Sequence, residues 1–158
     1  MTFVGTFLFA LVIFPNLPIG GESLDAQPEY DFALVHKLMA QYGEDGRRIY
    51  SMASPTLDTL FPLIYVTFFV GLIYRLRAND LLGWLAIIPV ITGLVDLGEN
   101  IQITTILLQY PDISAGQVQS ASLFTQTKTI LVFVTGFLAV GCVLLATGKL
   151  VLSKFRNR

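Results

Sequence analysis

The chain has 158 residues, 54% hydrophobic and 13% charged, with a formal net charge of −1. Its mean hydropathy of +0.68, with far fewer charges than the roughly 25% of soluble domains, places it in the membrane class. No basic footprint for nucleic acid is present, and the lone Cys142 excludes an internal disulfide framework and a cysteine-based zinc site.

Residues 2–19 form the first apolar segment and end in a run rich in proline and glycine. A cleaved signal peptide would want a basic n-region and a small-x-small site, and neither is evident. The expectation is a first transmembrane helix, stopped by its prolines. Residues 20–55 are polar and acidic and form an outer loop. Within that loop, Pro28 to Tyr42 reads as an amphipathic helix, with Phe32, Val35, Leu38, Met39 and Tyr42 at helical spacing. Pro28 suits its first turn and Gly43 its C-cap. It would lie on the membrane surface or cap the bundle. His36, the only histidine, reads as a solvated side chain there. A turn at 43–46 precedes a short helix that breaks at Ser54-Pro55.

The second span covers 56–74, with Asp58 in its first turn and a kink expected at Pro62. Phe61, Pro62 and Tyr65 share the face of Asp58. A very short loop at 75–80 makes a helical hairpin with the third span, 81–108. That span would reach about 42 Å, more than the ~30 Å hydrocarbon core, so its far end projects from the membrane. Pro89 is expected to kink it. Asp96, Glu99 and Asn100 fall at i, i+3 and i+4 and share one face, flanked by Thr92 and Thr104. The fourth span, 122–147, carries Lys128 near its start and small residues at Gly136, Ala139, Gly141, Cys142 and Ala146. Cys142 lies in an apolar run and reads as a packing residue. The fold class is therefore all-α, a four-helix transmembrane bundle with an amphipathic helix in the first outer loop, forming one membrane domain over 1–158.

Arg75 and Arg77 in the short loop and Lys149, Lys154, Arg156 and Arg158 in the tail gather basic residues on one side. The positive-inside rule then puts both termini in the cytoplasm. With that topology Asp58, Asp96, Glu99 and Lys128 all belong to the outer half of the membrane and converge on one polar cluster. Three carboxylates face one ammonium. The excess must be met by protonation, by Arg47 or Arg48 reaching down, or by water.

The combination Gly43-x-x-Gly46-Arg47 through Tyr50, Asp58-x-x-Phe61-Pro62-x-x-Tyr65, Asp96-x-x-Glu99-Asn100 and Lys128 resembles a family of small bacterial four-span membrane proteins of unknown function. That resemblance implies a bacterial inner-membrane location and no activity. The architecture also resembles the emopamil-binding sterol isomerase and sigma-2 receptor group, which binds lipophilic amines or sterols against intramembrane acids. This second likeness implies pocket roles for Asp58, Asp96 and Glu99. The chain departs from the isomerase pattern in having no histidine in any span.

Three readings of the cluster follow. It is a buried bridge that fixes helix register, a lipophilic-ligand pocket, or the docking face of an accessory subunit in a larger membrane complex. For the pocket, the candidate residues are Asp58, Tyr65, Asp96, Glu99, Asn100 and Lys128, in contact with membrane lipids and a lipophilic small molecule. If catalysis occurs there, it would be an isomerase-type proton transfer. No metal or cofactor is expected. An ion path is disfavoured because the inner halves of the spans look apolar.

Overall fold

In a computed structural model, residues 16–77 and 83–156 are described. The expected first span at 2–19 lies outside the described residues apart from 16–19, as does the loop at 78–82. The described chain is helical. A 3-10 turn at Leu24–Ala26 leads to α1 (Phe32–Ala53) and a π-helical turn at Ser54–Asp58. α2 (Thr59–Leu76), a 3-10 turn at Trp84–Ala86, α3 (Ile87–Gln109) and α4 (Ala115–Arg156) follow. Three stretches are long and apolar enough to cross a membrane: Phe32–Leu76, Trp84–Gln109 and Ala115–Leu152.

Several boundaries differ from expectation for local reasons. α1 starts at Phe32 rather than Pro28, because Asp31 is the N-cap and its carboxylate accepts from the Leu34 N–H at 2.7 Å. The helix does not stop at Gly43. That glycine takes φ 65° and kinks the chain, and helical geometry resumes at once. Ser54-Pro55 does not break the path either, since the π turn carries it into α2. Pro89 sits in the first turn of α3, where its missing N–H has no intrahelical partner to lose. α4 begins seven residues before the expected start and runs for 42 residues, about 63 Å.

α3 and α4 are antiparallel, paired through Thr92 with Thr135, Glu99 with Lys128 and Gln109 with Gln117. α2 packs on α3 where Gly93 lets the Val66 side chain approach, and α4 packs on it where Gly98 admits the Phe124 ring. Exposed apolar residues are densest on α4 from Ile130 to Leu152, about 33 Å, close to the thickness of a hydrocarbon core, with Leu123 and Phe155 outlying at the two ends.

Beyond Ile130 the bundle changes character. Val35, Leu38, Met39, Tyr42 and Tyr50 of α1 pack with Ile103, Ile106 and Leu107 of α3 and Val118 and Ala121 of α4. Leu24 and Ile19 complete this core. It is the dense apolar core of a cap, built where the ends of α3 and α4 leave the membrane. Within the apolar slab, by contrast, the buried positions include Thr92, Thr135, Ile73, Ala139 and Cys142. We call the end with the cap the acidic end and the end with Arg75 and Lys149 the basic end.

Candidate functional site

The polar face of α3 is buried. Asp96 is 7% exposed, Glu99 0% and Asn100 3%. The i, i+3, i+4 spacing turns all three toward the neighbouring helices, with Thr92 one turn toward the basic end. Lys128 of α4 forms an ion pair with Glu99 and lies 3.8 Å from Asp96 Oδ1. The Tyr65 hydroxyl of α2 donates to Asp96 Oδ2 at 2.9 Å. Asp58, at the end of the π turn, makes no side-chain cap for α2. It stands half-buried within electrostatic reach of Asp96, Glu99 and Lys128. Five of the six residues singled out from sequence therefore share one neighbourhood. Asn100 occupies the same buried face, and its Nδ2 has no hydrogen-bond partner, nor has Thr104 Oγ1 one turn on.

The structure adds a fourth acid. Asp25, in the 3-10 turn, is within electrostatic reach of Asp58, Asp96, Glu99 and Lys128. Tyr50 holds it there: this fully buried phenol donates to Asp25 Oδ1 at 2.6 Å and accepts from the Leu24 N–H at 3.1 Å. The counter-charge imagined from α1 goes elsewhere. Arg47 donates to the Met39 carbonyl at 2.8 Å and lies 4.8 Å over the Tyr110 ring, while Arg48 is exposed. Among the described residues Lys128 thus pairs with two carboxylates, Glu99 and Asp96, and Asp25 and Asp58 stand within electrostatic reach.

A line of hydroxyls leads out of the cluster toward the acidic end. Tyr30 Oη lies 3.2 Å from Thr125 Oγ1, one turn from Lys128 on α4, and the Tyr30 N–H donates to Ser122 Oγ at 3.0 Å. Burial pushes the Tyr30 phenol up to about 12, with the Thr125 hydrogen bond opposing in part. In the other direction Thr92 and Thr135 bond hydroxyl to hydroxyl at 2.9 Å in the apolar slab.

Sequence reasoning missed Asp25, Tyr30, Tyr50 and Thr125. For Thr125 a signal existed: Ser122, Thr125 and Lys128 recur every three residues and form a polar stripe on α4. For the other three no local pattern pointed inward. His36 is not a freely solvated side chain. Its ring sits 4.4 Å from Phe32 and 5.3 Å from Tyr110, centroid to centroid. Cys142 is buried. Among the described residues no group of three or more His, Cys, Asp or Glu is placed to hold a metal ion. Comparison with known protein families, with characterised proteins and with solved structures gives no match.

Proposed function

We propose that this is an integral membrane protein that binds a lipophilic molecule bearing a protonated amine, whose ammonium seats among Asp58, Asp96 and Glu99. The reading includes a fourth span over residues 2–19 and both termini in the cytoplasm of a bacterial cell, so the acidic end faces outward. One observation carries it: among the described residues two buried carboxylates, Asp96 and Glu99, and two half-buried ones, Asp25 and Asp58, share the neighbourhood of one lysine. A bridge that merely set helix register needs one acid per base, and every further buried carboxylate is a cost that a cationic ligand offsets. The buried Nδ2 of Asn100, unpartnered on the same face, supplies a donor for a polar atom beside the ammonium.

The test uses the full chain in lipid nanodiscs, with dodecylamine and dodecanol as probes of equal chain length. The amine, and not the alcohol, is expected to raise the unfolding temperature. Its apparent affinity should fall at least tenfold in Asp96→Asn/Glu99→Gln, a variant whose helical signal is retained. Equal effects of amine and alcohol, or undiminished binding by the variant, would overturn the proposal.

A second reading, an accessory subunit, draws on Ile101 and Leu108. These α3 residues are 68% and 69% exposed at the level of the cap, beyond the apolar slab, where a partner rather than lipid would cover them. Purification in a mild detergent separates the two. A strictly monomeric particle counts against the subunit.

A further inference from the structure

A groove of about 660 Å³ opens on the outside of the bundle between the segment entering α1 and the first turns of α4. It is distinct from the buried cluster, although Tyr30 and Ser122 form part of its wall. Its volume lies in the ~300–1,000 Å³ range of small-molecule sites. Glu29 and Asp31 line one side, Gln119 and Gln126 the other, and Phe32 and Leu123 provide exposed apolar edges. Among the described residues lining it there is no lysine or arginine. The groove therefore favours a cation and offers amide hydrogen-bonding groups opposite it.

The groove continues into the membrane. Its α4 wall is the stripe Gln119, Ser122 and Gln126. Advancing by helical steps of three and four, the same face becomes Ile130, Phe133, Phe137, Val140 and Leu144. All five are exposed, Phe137 to 76%. A polar, acid-lined recess thus stands at the edge of the apolar slab, directly above an open hydrocarbon-facing track. One class of molecule matches both parts: a two-part amphiphile with a small cationic head and an acyl chain.

We propose that this groove is a site for a phospholipid whose headgroup carries a primary ammonium, phosphatidylethanolamine. The ammonium lies against Glu29 and Asp31, the phosphate oxygens face the amides of Gln119 and Gln126, and one acyl chain runs along Ile130, Phe133 and Phe137. Asp31 retains one carboxylate oxygen for this contact, since Oδ1 is the acceptor that caps α1. An anionic headgroup is repelled by the two acids. A choline headgroup carries no N–H to donate to them.

The experiment is native mass spectrometry of the full chain released from vesicles of equimolar phosphatidylethanolamine, phosphatidylcholine and phosphatidylglycerol. Retention of phosphatidylethanolamine at least tenfold over either competitor is expected. It should be lost in Glu29→Gln/Asp31→Asn, in which asparagine preserves the cap, and kept in the control Glu44→Gln/Asp45→Asn, two exposed acids outside the groove. Equal retention of the three lipids, or an unaltered Glu29→Gln/Asp31→Asn variant, would each overturn the assignment. So would loss of the lipid in Asp96→Asn/Glu99→Gln, which would move it to the buried cluster. The groove site can fail while amine binding at the cluster stands, and the reverse also holds.

Discussion

Replacing Lys128 with methionine is the most informative change in the cluster. Among the described residues the lysine is the only base paired with Glu99 and Asp96, and the Glu99 side chain has no exposed surface. Methionine keeps most of the volume and removes the charge, leaving two buried carboxylates with no cation beside them. Breaking a buried pair from one side costs about 3–5 kcal/mol. At about 2–4 °C per kcal/mol for a chain of this size, the unfolding midpoint should drop by roughly 6–20 °C. The reverse truncation is not symmetrical. In Glu99→Gln the lysine still has Asp96 at 3.8 Å, and one acid is withdrawn from an acid-rich group, so the loss should be under half as large. Combining the two should recover much of the Lys128→Met loss, because the stranded charge is gone. Thermal unfolding in nanodiscs, followed by near-ultraviolet circular dichroism of the buried tyrosines, reads all three variants. If Glu99→Gln destabilises as much as Lys128→Met, the cluster behaves as a simple one-to-one bridge, and the argument from excess acid is wrong.

Tyr50→Phe removes the donor to Asp25 and leaves the buried Leu24 N–H without its acceptor; a loss of about 1–3 kcal/mol is expected, with faster proteolysis at residues 20–30 as the local readout. Gly98→Ala places a methyl group against the Phe124 ring, and overpacking of about 1–3 kcal/mol should appear in the unfolding midpoint, whereas Gly116→Ala, with open space around it, should be neutral. Alkali should act through Tyr30. Its folded phenol titrates near 12 against about 10 when unfolded, so the neutral form is favoured in the fold. That contribution is fully present below pH 10 and is lost as pH rises toward 12, on the order of 3 kcal/mol in all. Tyr30→Phe should start lower in stability, for want of the Thr125 bond, and show a shallower fall over that window.

Periodicity marked the strongest features. The i, i+3, i+4 set on α3 could hardly be misplaced, because an acid, a second acid and an amide on one helical face cannot be left in lipid. Their convergence with Lys128 followed from antiparallel packing alone. What sequence could not reveal was the cap. Whether Ile103, Ile106 and Leu107 face lipid or protein is the same question to a hydropathy pattern, and only the packing of α1 against them answers it. Asp25 and Tyr50 meet across 25 residues through a 3-10 turn that no repeat announces. The boundaries at Gly43 and Pro55 slipped because turn residues can bend a helix without ending it when tertiary contacts hold both sides.

The cap also bears on why the acids stand where they do. A carboxylate deep in the apolar slab would be too costly, and one fully in solvent would attract a cation only weakly. Asp96 and Glu99 sit at the level of Lys128 and Ile130, at the border between the apolar slab and the packed core of the cap. That core keeps the local dielectric low, so each carboxylate attracts a cation strongly. Tyr30 meanwhile ties the groove wall to α4 beside the cluster, its N–H donating to Ser122 Oγ and its hydroxyl bonding Thr125. The groove and the cluster are then two depths of one acidic end, joined by a single tyrosine. Tyr30→Phe removes the phenol while leaving both sets of acids in place. The association rate of the amine at the cluster should fall in that variant if the ligand enters past Tyr30 and Thr125, and stay unchanged if it enters from the lipid.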